Sequence, residues 1–218
     1  AVHLDAAYVS GVVAMPEASA PMTFKRAVFT NKGFSQTEVS SEVAIISLSA
    51  NAYGLHPNPV SCSNEEISFP ELNAQAKTTP GLIDKAQGKI SIADAEIVVS
   101  AGRGLKGPEN WGMIEELAQV LGGATACSKP VSDLGWRPHS EHVGQTGKPV
   151  ASNLYIAVGI SGAIQHLAGV SASKTKVVIN TDPEAPFFKA ADYGIVGDAF
   201  EVVPQLIEKI KAFKSQNA

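Results

Sequence analysis

Residues 154–162 read Leu-Tyr-Ile-Ala-Val-Gly-Ile-Ser-Gly, and Ala-Ile-Gln-His-Leu-Ala-Gly follows to position 169. The uncharged run is too short for a buried helix and ends at Ser161-Gly162. It therefore reads as a fully buried strand turning into a helix. Similar runs flank it at Ala95–Ser100, Ala124–Cys127, Lys176–Asn180 and Tyr193–Val196. Helical spacing separates them. Met113, Ile114, Leu117, Val120 and Leu121 mark a helix over Glu109–Leu121, closed by Gly122-Gly123. Val202, Val203, Leu206, Ile207 and Ile210 mark another over Ala199–Phe213. Short all-apolar strands alternating with helices predict an α/β, doubly wound parallel sheet covered on both faces. That domain is expected over residues 92–218.

The preceding residues, 1–91, have a different texture. Met22–Thr30 partly alternates apolar and polar residues, Asn31-Lys32-Gly33 reads as a turn, and Gln36–Ser40 and Val43–Leu48 supply further strand material. A hairpin or meander is expected. Tyr53–Asn73 contains Pro57, Pro59 and Pro70 and reads as loop or edge structure, and Thr78–Ala95 as a linker with a short helix. The chain begins Ala-Val-His, without Met. A preceding segment is therefore expected, and no targeting statement follows from this end.

Composition narrows the function classes. The chain has 218 residues, 44% hydrophobic and 17% charged, and its 17 Lys+Arg against 21 Asp+Glu give a net charge of −4. Mean hydropathy is +0.06. These values describe a globular chain long enough to bury a core. Nucleic-acid binding, which rests on many basic phosphate contacts, is disfavoured. No stretch reaches the ~20 apolar residues of a membrane span. Cys62 and Cys127 are too few for a disulfide framework, and two free thiols are favoured over one bridge.

In an open parallel sheet, ligands bind beyond the carboxyl ends of the strands. There the sequence places Gly102-Arg103-Gly104, Ser128-Lys129, Ser161-Gly162-Ala163, Asn180-Thr181-Asp182 and Gly197-Asp198. Glycines admit a ligand close to the backbone, Ser, Asn and Asp bind hydroxyls, and cations bind phosphate. Turn formation and helix capping account for any single one of these sites equally well. The chain lacks GxxxxGK[ST], and Ala163 breaks any GxSxG elbow. His139 and His142 lie three apart but lack further ligands for a metal site.

The segments Val-Val-Ser-Ala-Gly-Arg-Gly-Leu-Lys (98–106), Val-Gly-Gln-Thr-Gly-Lys (143–148), residues 154–169, Ile-Asn-Thr-Asp-Pro-Glu-Ala-Pro-Phe-Phe (179–188) and Ala-Asp-Tyr-Gly-Ile-Val-Gly-Asp (191–198) resemble the α subunit of electron transfer flavoprotein. The resemblance is tight from about Glu96 onward and loose before it. It implies a Rossmann-like FAD-binding domain of the DHS-like NAD/FAD-binding type over 92–218, preceded by an incomplete, β-rich remainder of an α/β N-terminal domain. It also implies bound FAD, an electron transfer flavoprotein β subunit as partner, flavin dehydrogenases such as acyl-CoA dehydrogenases as donors, and a quinone oxidoreductase as acceptor. Such a protein is an electron carrier, not an enzyme, and its compartment is the bacterial cytoplasm or the mitochondrial matrix.

Carried onto this chain, Arg103 lies against the flavin ring. Thr146, in a loop with Val143, Gly144 and Gln145, hydrogen-bonds flavin N5, and His166 faces the C2 carbonyl. Ser161, Gly162, Ala163, Ile164 and Gln165 bind the pyrophosphate and ribityl region. Ser128, Asn180 and Asp198 hold the phosphate, ribose and adenine end. Lys129 stands where the family commonly has Arg, keeping the charge but losing the fork. Either Arg103 or a protonated His166 is expected to supply positive charge near the N1–C2 edge. Two alternatives stay open: a subunit of a bifurcating or CoA-reductase complex, and a dinucleotide-binding module without redox work.

Overall fold

The computed structural model describes residues 1–19, 21–29, 33–54, 56–66, 78, 81 and 90–217. The chain groups into two units, Ala1–Tyr53 with Ile90–Ala218, and Gly54–Lys89. The described residues of the second unit carry no helix or strand. Most of the segment expected to hold a short helix, and Thr30–Lys32 of the expected turn, lie outside the described residues.

The first sheet is mixed. It contains β1 (Ala7–Val12), β2 (Ala18–Ser19), β3 (Met22–Val28), β4 (Gly33–Val39) and β5 (Ala44–Leu48). β3 and β4 pair antiparallel from Met22↔Val39 to Val28↔Gly33, as the alternation in Met22–Thr30 anticipates. β5 does not continue the expected meander. It leaves β4 and runs parallel to β1, pairing Ala7 with Ala44 and Val9 with Ile46. Val9, Val12, Phe24 and Val39 share one buried cluster, which sets this register: a one-residue slip would turn the set outward.

The second sheet has five strands, β6 (Ile97–Ala101), β7 (Ala124–Cys127), β8 (Leu154–Val158), β9 (Thr175–Asn180) and β10 (Tyr193–Val196). All its pairings are parallel, in the order β10-β9-β8-β6-β7. Among the described residues, four α-helices accompany them: α1 (Gly112–Leu121), α2 (Lys129–Asp133), α3 (Ile164–Val170) and α4 (Ala199–Gln216). The expected doubly wound α/β fold is therefore what forms. Successive strand residues serve opposite faces. Val99, Ala101, Ile156 and Val158 pack with Ile114 and Leu117 of α1 and Val203 and Ile207 of α4. Val98, Tyr155 and Ala157 pack on the other side with Val143, Val170 and Phe187.

Three details depart from the sequence expectation. Glu109–Trp111 belong to a 3-10 turn begun by Pro108, and the α-helix starts at Gly112. The strand at 154 stops at Val158 because Gly159 turns to φ +61°. β10 is exposed along its whole length instead of covered. It is the outermost strand, with β9 as its one neighbour in the sheet. Both cysteines are free, Cys62 exposed and Cys127 buried. No helix among the described residues is long and apolar enough to cross a membrane.

Leu117 is fully buried in the cluster between α1, α4 and the sheet. Leu117→Ala is expected to lower unfolding free energy by about 2–5 kcal/mol in urea titrations, the usual cost of a cavity in such a site.

Candidate functional site

Counted within its own sheet, the strand order is 2-1-3-4-5, which reverses direction between β6 and β8. That switch point leaves a crevice at the carboxyl ends of the strands. The loops leaving β6 and β8 meet there backbone to backbone. Gly102 N donates to Val158 O at 2.9 Å, and Gly104 N to Gly159 O at 3.1 Å. A Cβ on Gly104 would lie 2.6 Å from Gly159 Cα, and one on Gly159 would lie 2.8 Å from Gly104 Cα. No side chain fits between these loops. Arg103, flanked by the two glycines, is exposed.

Beyond this contact lies a cavity of about 560 Å³, a size typical of cofactor sites. Each of its walls comes from a different strand end. Arg103 follows β6; Ser128 and Lys129 follow β7; Ser161, Ala163, Gln165 and His166 follow β8; Asn180 ends β9. Val143, Gly144, Gln145 and Thr146 line it from the loop before β8.

That loop is fixed by its backbone. Val143 N donates to Cys127 O at 3.0 Å, Gln145 N to Gln165 O at 2.8 Å, and Lys148 N to His142 O at 2.9 Å. Gly169 of α3 presses on Gly144, where a Cβ would come within 2.6 Å of the Gly144 Cα. Gly144 itself has φ +152°. The loop can lie against α3 only because both positions lack a side chain.

The structure brings most of the expected residues together but places three outside the lining. Asp198 caps α4, its Oδ1 accepting from Phe200 N at 2.9 Å, and its Oδ2 lies 3.7 Å from Lys106 Nζ. Ile164 is 77% exposed and points away from the core. Gly162, at φ +88°, packs on Phe187 N, 2.5 Å from where a Cβ would stand. Asn180 lines the cavity but also braces it: its Nδ2 donates to Ile160 O at 3.0 Å and its Oδ1 accepts from Asp182 N at 3.1 Å. One amide hydrogen and one lone pair remain for a ligand. α2 and α3 are five and seven residues long. A macrodipole therefore contributes little here, and the cations and loop backbone carry anion affinity.

Asp182, which the sequence places at a strand end, also lines the cavity, as do His142 and Asp133, of which the sequence marks His142 only as a metal-ligand type and Asp133 not at all.

His166 sits at the buried end. Its Nε2 shares a 2.9 Å hydrogen bond with the Tyr155 hydroxyl, and its ring leans on Phe187. Burial pushes its pKa down to about 4; His142 adds to the shift and the Val143 backbone opposes it. Burial therefore favours the neutral imidazole near pH 7, which of the two expected sources of positive charge favours Arg103. Lining-side positive charge comes from Arg103 and Lys129. Nδ1 of His166 is buried without a hydrogen-bond partner of good geometry.

The comparisons agree with this architecture. A family profile described as "Electron transfer flavoprotein FAD-binding domain" matches residues 91–171. An electron transfer flavoprotein subunit α of Bacillus subtilis is 37% identical over 219 aligned positions, covering 97% of this chain and 65% of that protein. Over nearly its whole length the chain is similar to α subunits of electron transfer flavoprotein. A subunit α of Thermoanaerobacterium thermosaccharolyticum is 55% identical over 130 residues, 60% of this chain and 39% of that protein. A mitochondrial subunit α of Dictyostelium discoideum is likewise 55% identical over 130 residues, 60% of this chain and 37% of that protein. The chain thus spans from under two fifths to just under two thirds of the length of these relatives.

Two outcomes are expected. Gly104→Ala forces the β6 and β8 loops apart and costs about 2 kcal/mol or more by urea denaturation, as overpacking against fixed backbone does. His166 makes stability fall with acid. The unfolded chain binds its proton near pH 6.5 and the folded chain near pH 4. The contribution is thus complete above pH 6.5 and lost as pH falls toward 4, by about 3 kcal/mol. His166→Gln removes that part of the slope, read as the difference between the two proteins' unfolding free energies at pH 7.5 and 4.5.

Proposed function

We propose that this chain supplies the FAD site of an electron carrier that works with an electron transfer flavoprotein β subunit. The observation that carries the reading is the switch-point cavity, in which Arg103 and Lys129 stand with Ser128, Thr146, Gln165 and Asn180 around glycine-rich strand-end loops. The Tyr155 hydroxyl, its acid form favoured by burial, serves as donor to Nε2. In that tautomer Nδ1 carries the imidazole proton, beside the Val143 backbone at the cavity's loop wall. The lining suits FAD: two cations for a pyrophosphate, hydroxyl and amide groups for a polyol, and glycines where a flat ring must approach backbone.

When bound, FAD supplies one- and two-electron redox chemistry, which the surrounding protein tunes. Arg103 contributes a planar, permanently charged guanidinium that can lie on a ring face and favour negative charge there. Lys129 serves as a point charge for phosphate. Thr146 offers a hydroxyl donor to a ring nitrogen. His166, neutral and held by Tyr155, orients a hydrogen bond without adding charge. In this reading the donors are flavin dehydrogenases, acyl-CoA dehydrogenases among them, and the acceptor is a quinone oxidoreductase. The site of action is the bacterial cytoplasm or the mitochondrial matrix.

The deciding measurement is an absorbance spectrum of the purified chain, before and after FAD and the β subunit are added. A shifted two-band flavin spectrum that is retained through gel filtration and reduced in two resolved one-electron stages is expected. No retained flavin with the β subunit present overturns the reading in favour of a non-redox dinucleotide module. Arg103→Ala is expected to lower the midpoint potential by tens of millivolts, on the scale of about 59 mV per tenfold change in a one-electron equilibrium. Thr146→Ala should also move the potentials. Potentiometric titration checks both.

A further inference from the structure

Arg137 lies outside the cavity, yet all three of its guanidinium nitrogens are committed. Nε donates to Glu141 Oε2 and NH2 to Glu141 Oε1, both at 2.8 Å, and NH1 donates to Glu115 Oε1 at 2.9 Å. The guanidinium also sits 5.4 Å from the centroid of the Trp111 ring. The side chains of Arg137 and Glu141 are 14% and 10% exposed. Thr125 of β7 approaches the same carboxylate, Oγ1 to Oε2 at 3.4 Å. The fork therefore ties a turn to α1, β7 and the turn before α1 at once.

The position of Glu141 gives this tie its consequence. The next residue, His142, lines the cavity and bridges to Cys127, and Val143–Thr146 complete the cavity's loop wall. That loop is held against α3 by Gln145 and Gly144, on one side only. On the other side it is held by the Val143–Cys127 hydrogen bond and, through Glu141, by Arg137. Without the fork, Glu141 loses the two charge-assisted hydrogen bonds that fix both of its oxygens, and its carboxylate takes a new position. The covalent neighbours His142 and Val143 move with it, away from Cys127. Lysine cannot substitute, because a point charge bonds one oxygen where the fork fixes two.

We propose that Arg137 is a positioning residue of this site, acting through Glu141 to set where the Val143–Thr146 wall stands against the ligand. The ligand part of the proposal rests on the FAD reading above. The loop part does not.

Two measurements test it on the full chain. In the ligand-free protein, backbone amide NMR of Arg137→Lys should show shifts concentrated in residues 141–148. Shifts spread evenly through the sheet, or none in the loop, overturn the proposal. With the β subunit present, Arg137→Lys should weaken FAD binding about tenfold to a hundredfold, as loss of an outer contact that orients a binding group does elsewhere. The Lys211→Met variant, which breaks a surface pair with Glu116, should bind FAD as the wild type does. The double variant Arg137→Met/Glu141→Met removes both charges together. It should regain melting temperature, since an apolar pair avoids a stranded charge, but not FAD affinity. Recovery of both, or unchanged affinity in Arg137→Lys, makes the fork a stability element only and overturns the positioning role. Failure of the wild-type complex to bind FAD overturns the FAD reading alone, and the NMR result still decides the rest.

Discussion

Three glycines in backbone contact hold the site together. Gly102 and Gly104 after one central strand meet Gly159 after the next, with no room for a Cβ on either side. Everything at the switch point inherits its spacing from that contact. It draws the β6 and β8 loops close enough for Gly102 and Gly104 to hydrogen-bond across. It leaves Arg103 between two positions that cannot compete for space, so its side chain stands free over the crevice. It also sets the start of the segment leading to α3, whose Gly169 in turn seats the loop bearing Thr146. Close packing of backbone on backbone thus passes from one wall of the cavity to the next without intervening rotamers.

The electrostatics follow from depth. At the buried end, Tyr155 and His166 are hydrogen-bonded to each other and kept in neutral forms by desolvation. At the rim, Arg103 and Lys129 keep their charges in contact with water. A site built this way does not hold an unpaired ion in its interior before a ligand arrives. Among the described residues, the one ion pair that is well buried, Arg137 with Glu141, is bidentate and accompanied by further hydrogen bonds, which is the arrangement that offsets desolvation.

The central sheet was legible because its inner strands β6 and β8 are buried on both faces. Ile97–Ala101 and Leu154–Val158 have no polar face to break the apolar run, and α1 and α4 show the complementary helical period. β1 was not legible: Ser10 and Gly11, the latter at φ +67°, interrupt it, and its parallel partner β5 is distant in sequence. Nor could the run at Tyr193–Val196 reveal its exposure, because edge status is a property of strand order. At the site, residues that follow strands could be read from position alone, Arg103, Ser128 and Asn180 among them. The charge state of His166 could not, since Tyr155 and Phe187 bury it from other elements. Asp198 carried the right residue type at a strand end, but the start of α4 claims its side chain as a cap. Arg137 gave no signal because its partners come from separate elements.

The strand order β7-β6-β8 has a consequence for synthesis. Strands β6 and β7 leave the ribosome with α1 between them and can pair at once. The other edge of β6, an apolar strand with open amides and carbonyls, has no partner until β8 emerges. The intervening stretch contains the loop that later lines the cavity. At translation speeds of about 5–20 residues per second this edge stays uncovered for seconds. An unpaired apolar edge is a template for association with other chains. The topology that creates the ligand crevice therefore also creates an interval in which the nascent chain depends on chaperones or dilution to stay unassociated.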